Sequence, residues 1–245
     1  MLHSTPTQDT IVESSDERPI RSLFKEYETT FIILHPFLVA KQGCDIKFER
    51  PYPNKKEIIN CASKISWQQI LHETGLEDIK QVDRLLGYLH CARRTADKTD
   101  WQKLMQVVDT NDYGVPQVDW FPEIIINDLF ASIKSLGYSE VKIVSLMNTK
   151  EQIVIIDDIL KSDEQLPIVS TITTLDNKIL IATKFDEAFS YISSTKKIID
   201  KLIKDCDLEG FFCNADTKRG WSYIEQIKDI IDWNSKERYP KNAQQ

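Results

Sequence analysis

The chain has 245 residues, 41% of them hydrophobic and 28% charged, which is ordinary globular usage and enough to bury a sizeable core. Its formal charge of −7 argues against a general affinity for phosphate backbones or anionic membranes. The longest apolar run, residues 31–40, is broken by His35 and Pro36, so no stretch reaches the roughly 20 residues of a membrane span.

From the start, residues 1–20 are polar and predict a disordered tail, with no basic or apolar leader pattern. Residues 21–113 predict a mainly helical part. Within it, Ser66 with Gln69 three places on has the pattern of a capping box, and Gly75 sits where that helix would stop. Ile79, Val82, Leu85, Leu86 and Leu89 then fall on one face of a second helix. Residues 100–108 add a shorter one. "GVPQVDWFP" (114–122) carries two prolines and a glycine and marks a junction.

Residues 114–233 predict an α+β sheet domain, with a flexible tail over 234–245. Pro122 and Glu123 suit the first turn of a helix running to Leu136. Strands at 141–147 and 152–157 flank a turn at Asn148–Glu151, and strands at 167–175 and 178–185 flank Asp176-Asn177. "AFSYIS" (188–193) and "EGFFC" (209–213) complete five to six strands. Between them lies a helix with Ile198, Ile199, Leu202, Ile203 and Cys206 as its buried stripe. A last helix covers 221–233. Short hairpins need no crossover helices, so the sheet should be mainly antiparallel, with the helices over 122–136 and 194–206 covering one face.

Five cysteines, with no Cys-x-x-Cys pair, predict free thiols in a reducing, cytoplasmic setting. The glycines are scattered, so no phosphate-cradling loop is expected. His90 and Cys91 are adjacent and point about 100° apart on a helix, a poor chelate; no metal and no cofactor is expected. Asp157, Asp158, Asp176 and Asp186 fall at strand ends, where aspartate serves turns as readily as cations.

"LEGFFCNADTKRGW" (208–221) is the densest stretch. Cys213 with His90 is the candidate nucleophile and base, with Lys218 and Arg219 to lower the thiol's pKa. The competing reading makes 209–213 a core strand and the following loop a binding loop, with Asp186, Asn214, Asp216, Lys218, Arg219 and Trp221 as candidates. Residues 66–95 have the outline of a helix-turn-helix, Lys80, Arg84, Arg93 and Arg94 standing against Asp83. Glu77 and Asp78 occupy the turn where phosphate would approach, which disfavours nucleic acid.

"ISWQQILHETGL", "IVIIDDIL", "TKFDEAF", "ISSTKK" and "LEGFFC" resemble an uncharacterised bacterial family, a domain of unknown function, over roughly residues 55–221. That resemblance implies a bacterial origin and carries no activity, ligand or site. The leading expectation is a non-catalytic module that binds another protein, in the manner of acidic immunity proteins or antitoxins. The alternatives are an enzyme with a dispersed Cys/His or carboxylate site and a DNA-binding regulator. Oligomeric state is not legible.

Overall fold

The computed structural model describes residues 18–49, 51–90, 96–145 and 148–222. The chain divides into two compact units. One joins the segment up to His35 with Val118–Trp221; the other holds Pro36–Gln117 and the segment from Ser222 onward.

The first unit is built on a sheet. Helix α1 (Ile20–Leu23) precedes strand β1 (Thr29–Leu34). In the second unit, β2 (Phe37–Ala40), α2 (Lys55–Cys61), β3 (Ala62–Ile65), α3 (Trp67–Thr74), α4 (Ile79–His90) and α5 (Lys98–Asn111) follow in order. The chain then returns to the first unit with α6 (Glu123–Ser135), β4 (Glu140–Ser145), β5 (Asn148–Ile155), α7 (Ile156–Lys161), β6 (Ser170–Thr174), β7 (Leu180–Thr183), β8 (Phe189–Ser194), α8 (Lys196–Cys206) and β9 (Gly210–Phe212).

The large sheet is antiparallel, in the order β5-β4-β6-β7-β8-β1-β9. It has seven strands rather than the expected five or six. The additional one is β1, inserted between β8 and β9, with Phe31 opposite Ile192 on one side and Phe212 on the other. Residues 21–113, expected to be mainly helical, also contain strands: β1 belongs to the large sheet, and β2 pairs with β3 in a separate two-stranded sheet. Pro36 lies between β1 and β2, where its missing N–H and restricted neighbour help to end the ladder.

Helices α6 and α8 cover one sheet face. Ile125, Ile126, Leu129, Phe130 and Ile133 of α6 and Ile199, Leu202 and Cys206 of α8 share one core with Ile143, Ile172, Ile181 and Ile192 of four adjacent strands. Full burial of each such aliphatic or aromatic side chain contributes about 1.5–3 kcal/mol. The opposite face is not left wet at its centre. Thr30, Ile32, Leu34, Phe189, Tyr191 and Ser193, which alternate with the core residues along β1 and β8, are buried as well.

Local signals agree in type and differ in detail. Ser66 accepts from the Gln69 N–H at 3.0 Å, but the Gln69 side chain turns to Glu73 instead of closing the box. The reciprocal box is at Asn54 and Glu57, at 3.0 and 2.8 Å. Gly75 ends α3 at φ 67°. β5 takes in Asn148–Glu151, which the sequence assigned to a turn, because Asn148 already pairs with Ser145. The expected strand at 152–157 stops at Ile155 and becomes α7, its Asp157 and Asp158 in the favourable first turn. From residue 223 on, the expected last helix lies outside the described residues.

Candidate functional site

The stretch that concentrates chemistry in the sequence is an edge strand and the loop leaving it. Gly210, Phe211 and Phe212 of β9 pair with Ile33, Ile32 and Phe31. Glycine is required at 210 by close approach: a Cβ there would lie 1.8 Å from the Ile32 carbonyl oxygen. Cys213 continues the ladder, its N–H donating to the Thr30 carbonyl at 2.9 Å. Its side chain is buried, and burial pushes the thiol up to about 12, against a smaller opposing pull from Arg21. A thiol in that state is protonated near neutral pH.

The loop is then folded by its own polar side chains. Asn214 Oδ1 accepts from the Asp216 N–H at 2.9 Å and from the Thr217 hydroxyl at 2.9 Å, while the Asn214 N–H donates to Thr217 Oγ1 at 3.0 Å. Lys218 forms a backbone bridge with Pro19, and the Arg219 N–H donates to the Arg18 carbonyl at 3.2 Å. Trp221 packs edge-on against Phe211 and Phe189, with ring centroids 5.0 and 5.9 Å away. Asn214, Asp216 and Lys218 are exposed. His90 belongs to the other unit, at the end of α4, where its Nε2 donates to the Pro116 carbonyl at 3.1 Å.

Asp186 lies at a different place, the end of the sheet near the close of β7. Its N–H donates to Asp119 Oδ1 at 2.6 Å, and the Asp119 carbonyl accepts from the Val169 N–H at 2.8 Å. All three residues have positive φ: 59°, 69° and 43°. That conformation is uncommon for aspartate and strained for a β-branched valine. Beside them in the same unit, Lys184 and Glu187 form a buried ion pair at 3.3 Å, and His35 Nε2 meets Ser190 Oγ at 2.7 Å. Glu123 opens α6 and accepts from Gln165 Nε2; burial pushes its carboxyl up to about 7. Lys184, Glu187, His35, Ser190 and Glu123 are all 3% exposed or less. These are three separate enclosed pairs, His35–Ser190, Lys184–Glu187 and Glu123–Gln165.

Asp157 and Asp176 are each held by neighbours of their own. Asp157 accepts from Lys134 at 2.5 Å, and Asp176 is tied to Lys178, Thr174 and Tyr138. Among the described residues, no group of three or more His, Cys, Asp or Glu side chains could hold a metal ion. In the helical unit, Arg84 turns to the Ser222 carbonyl at 2.7 Å, and an open groove of about 550 Å³ lies along α3 and α5, past His72, Glu73, Lys103 and Val107.

A feature that the sequence reading missed is at the opposite sheet edge. β5 pairs with β4 on one side and has no strand on the other among the described residues. Val154 faces the helix-covered core with Val141, so Ile153 and Ile155 point to the other face. They are 59% and 47% exposed. Ile155 stands opposite Glu140, and Leu175, 49% exposed, follows the Thr174 that pairs with Val141. The exposed large hydrophobics among the described residues thus gather at one corner of the sheet, Leu175 in the turn that follows β6. The signal was in "QIVIID": consecutive apolar residues at 153–155, the end of an edge strand, leave some of them facing water.

A family model described as a protein of unknown function (DUF2711) matches residues 16–223. No curated protein and no solved structure matches the chain. Among the described residues, no helix is long and apolar enough to cross a membrane.

Proposed function

The chain belongs to the DUF2711 family, whose function is unknown, and from that premise we propose that it works by binding another protein rather than by transforming a substrate. The observation that carries this is that, among the described residues, no strand pairs with the outer edge of β5, and Ile153 and Ile155 are exposed beside it. An unpaired edge strand offers a row of backbone donors and acceptors, a liability that proteins usually blunt unless it is used. A partner segment in extended conformation would add to β5 as an eighth strand, with alternate apolar side chains lying over the two isoleucines.

Charge selects the partner class. The chain carries −7; at this corner Glu151, Asp157 and Asp176 are each paired with a lysine, Lys142, Lys134 and Lys178, so it is the net charge of the whole chain that favours a basic partner. The fitting partner is a basic protein, as for small acidic inhibitors that neutralise a basic enzyme; that comparison is one of character and not of fold. The thiol of Cys213, buried and protonated, supports a binding role over a nucleophilic one.

A photo-crosslinking residue placed at position 153, with position 103 on α5 as the control, tests the proposal in lysate of the native source. The expected product is a basic protein captured from position 153 alone, and lost when Ile155 is replaced by Asp. Capture equal at both positions, or unaffected by Ile155→Asp, would overturn it. Capture of a second copy of the chain would replace the basic partner with self-association.

A further inference from the structure

Cys44 and Cys61 are far apart in sequence but meet in the helical unit, and local geometry explains how. Ala40 pairs with Ala62 at the end of the β2–β3 ladder, and the Lys41 N–H continues it to the Cys61 carbonyl at 2.7 Å. Residues 41–44 then make a tight turn, the Cys44 N–H donating back to the Lys41 carbonyl at 3.0 Å. Gly43, at φ 85°, supplies the left-handed position that this turn needs. The turn folds Cys44 back over the residue that pairs with Cys61. Lys41 fixes the other side: its Nζ donates to the Ile59 and Asn60 carbonyls, both at 3.0 Å, holding the last turn of α2 in place. The ladder end and the turn thus bring the two cysteines together, the neighbouring Cys44 thiol raising the pKa of Cys61, and both residues are partly exposed.

We propose that Cys44 and Cys61 form a redox-modifiable dithiol, which a peroxide converts reversibly to an intramolecular disulfide. Either cysteine can meet the oxidant first, since both are partly exposed. Its thiolate attacks one peroxide oxygen, the O–O bond breaks, and hydroxide leaves, giving a sulfenic acid. The sulfur of the other cysteine then attacks that sulfur, the S–O bond breaks, and water leaves as the S–S bond forms. Two electrons pass from the sulfur pair to the peroxide. An external dithiol reverses the reaction by exchange. Cys206 and Cys213 are buried and do not compete.

The intact chain treated with hydrogen peroxide, alkylated and mapped without reduction tests this. The expected result is a peptide linking Cys44 to Cys61, a fall of two in reactive thiols per chain, and recovery of both on adding dithiothreitol. Cys61→Ser should abolish the linked peptide and leave Cys44 as a sulfenic acid that dimedone traps. No Cys44–Cys61 link, at a peroxide dose that fully oxidises a reference dithiol peptide, would overturn the proposal. So would links that join either residue preferentially to Cys91, Cys206 or Cys213. The wild-type readouts stand even where a serine variant folds poorly.

Discussion

Replacing Glu123 with Gln should remove a large part of the pH dependence of the sheet unit's stability. Glu123 is 3% exposed at the first turn of α6, and burial raises its carboxyl from 4.5 to about 7, offset in part by its own backbone N–H and by Gln165. The folded state therefore holds this proton more tightly than the unfolded chain does. The contribution to stability is complete below the unfolded value of 4.5 and is lost as the pH rises through about 7. The full difference corresponds to about 3 kcal/mol, of which roughly 2.5 kcal/mol falls between about pH 5 and about pH 8. Glutamine keeps the shape and cannot ionise. Urea unfolding of both proteins, followed by near-ultraviolet circular dichroism, gives the measurement. The gap between Glu123→Gln and wild type should move in favour of the variant by about 2.5 kcal/mol over that range. Curves that run parallel with pH would show that Glu123 is ionised in the folded protein, and the account of an enclosed, water-poor sheet end would be wrong.

Gly210→Ala should cost about 2–4 kcal/mol, because the new Cβ meets the Ile32 carbonyl and detaches β9 from β1; an unchanged urea midpoint would refute the close approach. Ile153→Asp should change stability by no more than about 0.5 kcal/mol, since its side chain faces water, and Ile155→Asp, at the N-cap of α7, should raise it by about 0.5–1 kcal/mol, while both abolish partner capture. Cys213 should resist iodoacetamide near neutral pH in the folded protein and react on unfolding, as its burial and raised pKa require; rapid native labelling mapped to Cys213 would contradict this. Oxidation of Cys44 and Cys61 should raise the unfolding free energy of the helical unit by about 3 kcal/mol through closure of the loop between them, read as a reversible shift in thermal midpoint.

What the sequence determined by itself is local and periodic. The stop at Gly75, the helix opening at Pro122, the buried stripe of α8 and the tight turn at Asp176-Asn177 each rest on residues within a turn or two of one another. Strand type followed from alternation, and antiparallel pairing followed from short connections. Tertiary structure alone decided where β1 goes. Residues 29–34 look like an isolated apolar run because their partners, β8 and β9, lie more than 150 residues downstream. The same holds for each candidate site. Phe-Phe-Cys reads as core or as nucleophile until β1 covers it. Ile153 and Ile155 read as core until β5 proves to be an edge strand. Cys44 and Cys61 read as unrelated thiols until one glycine turn meets one ladder end. Hydrophobicity and turn chemistry act over a few residues and leave a local signature, whereas neighbours across a sheet are set by the free energy of the whole core, which no short window contains.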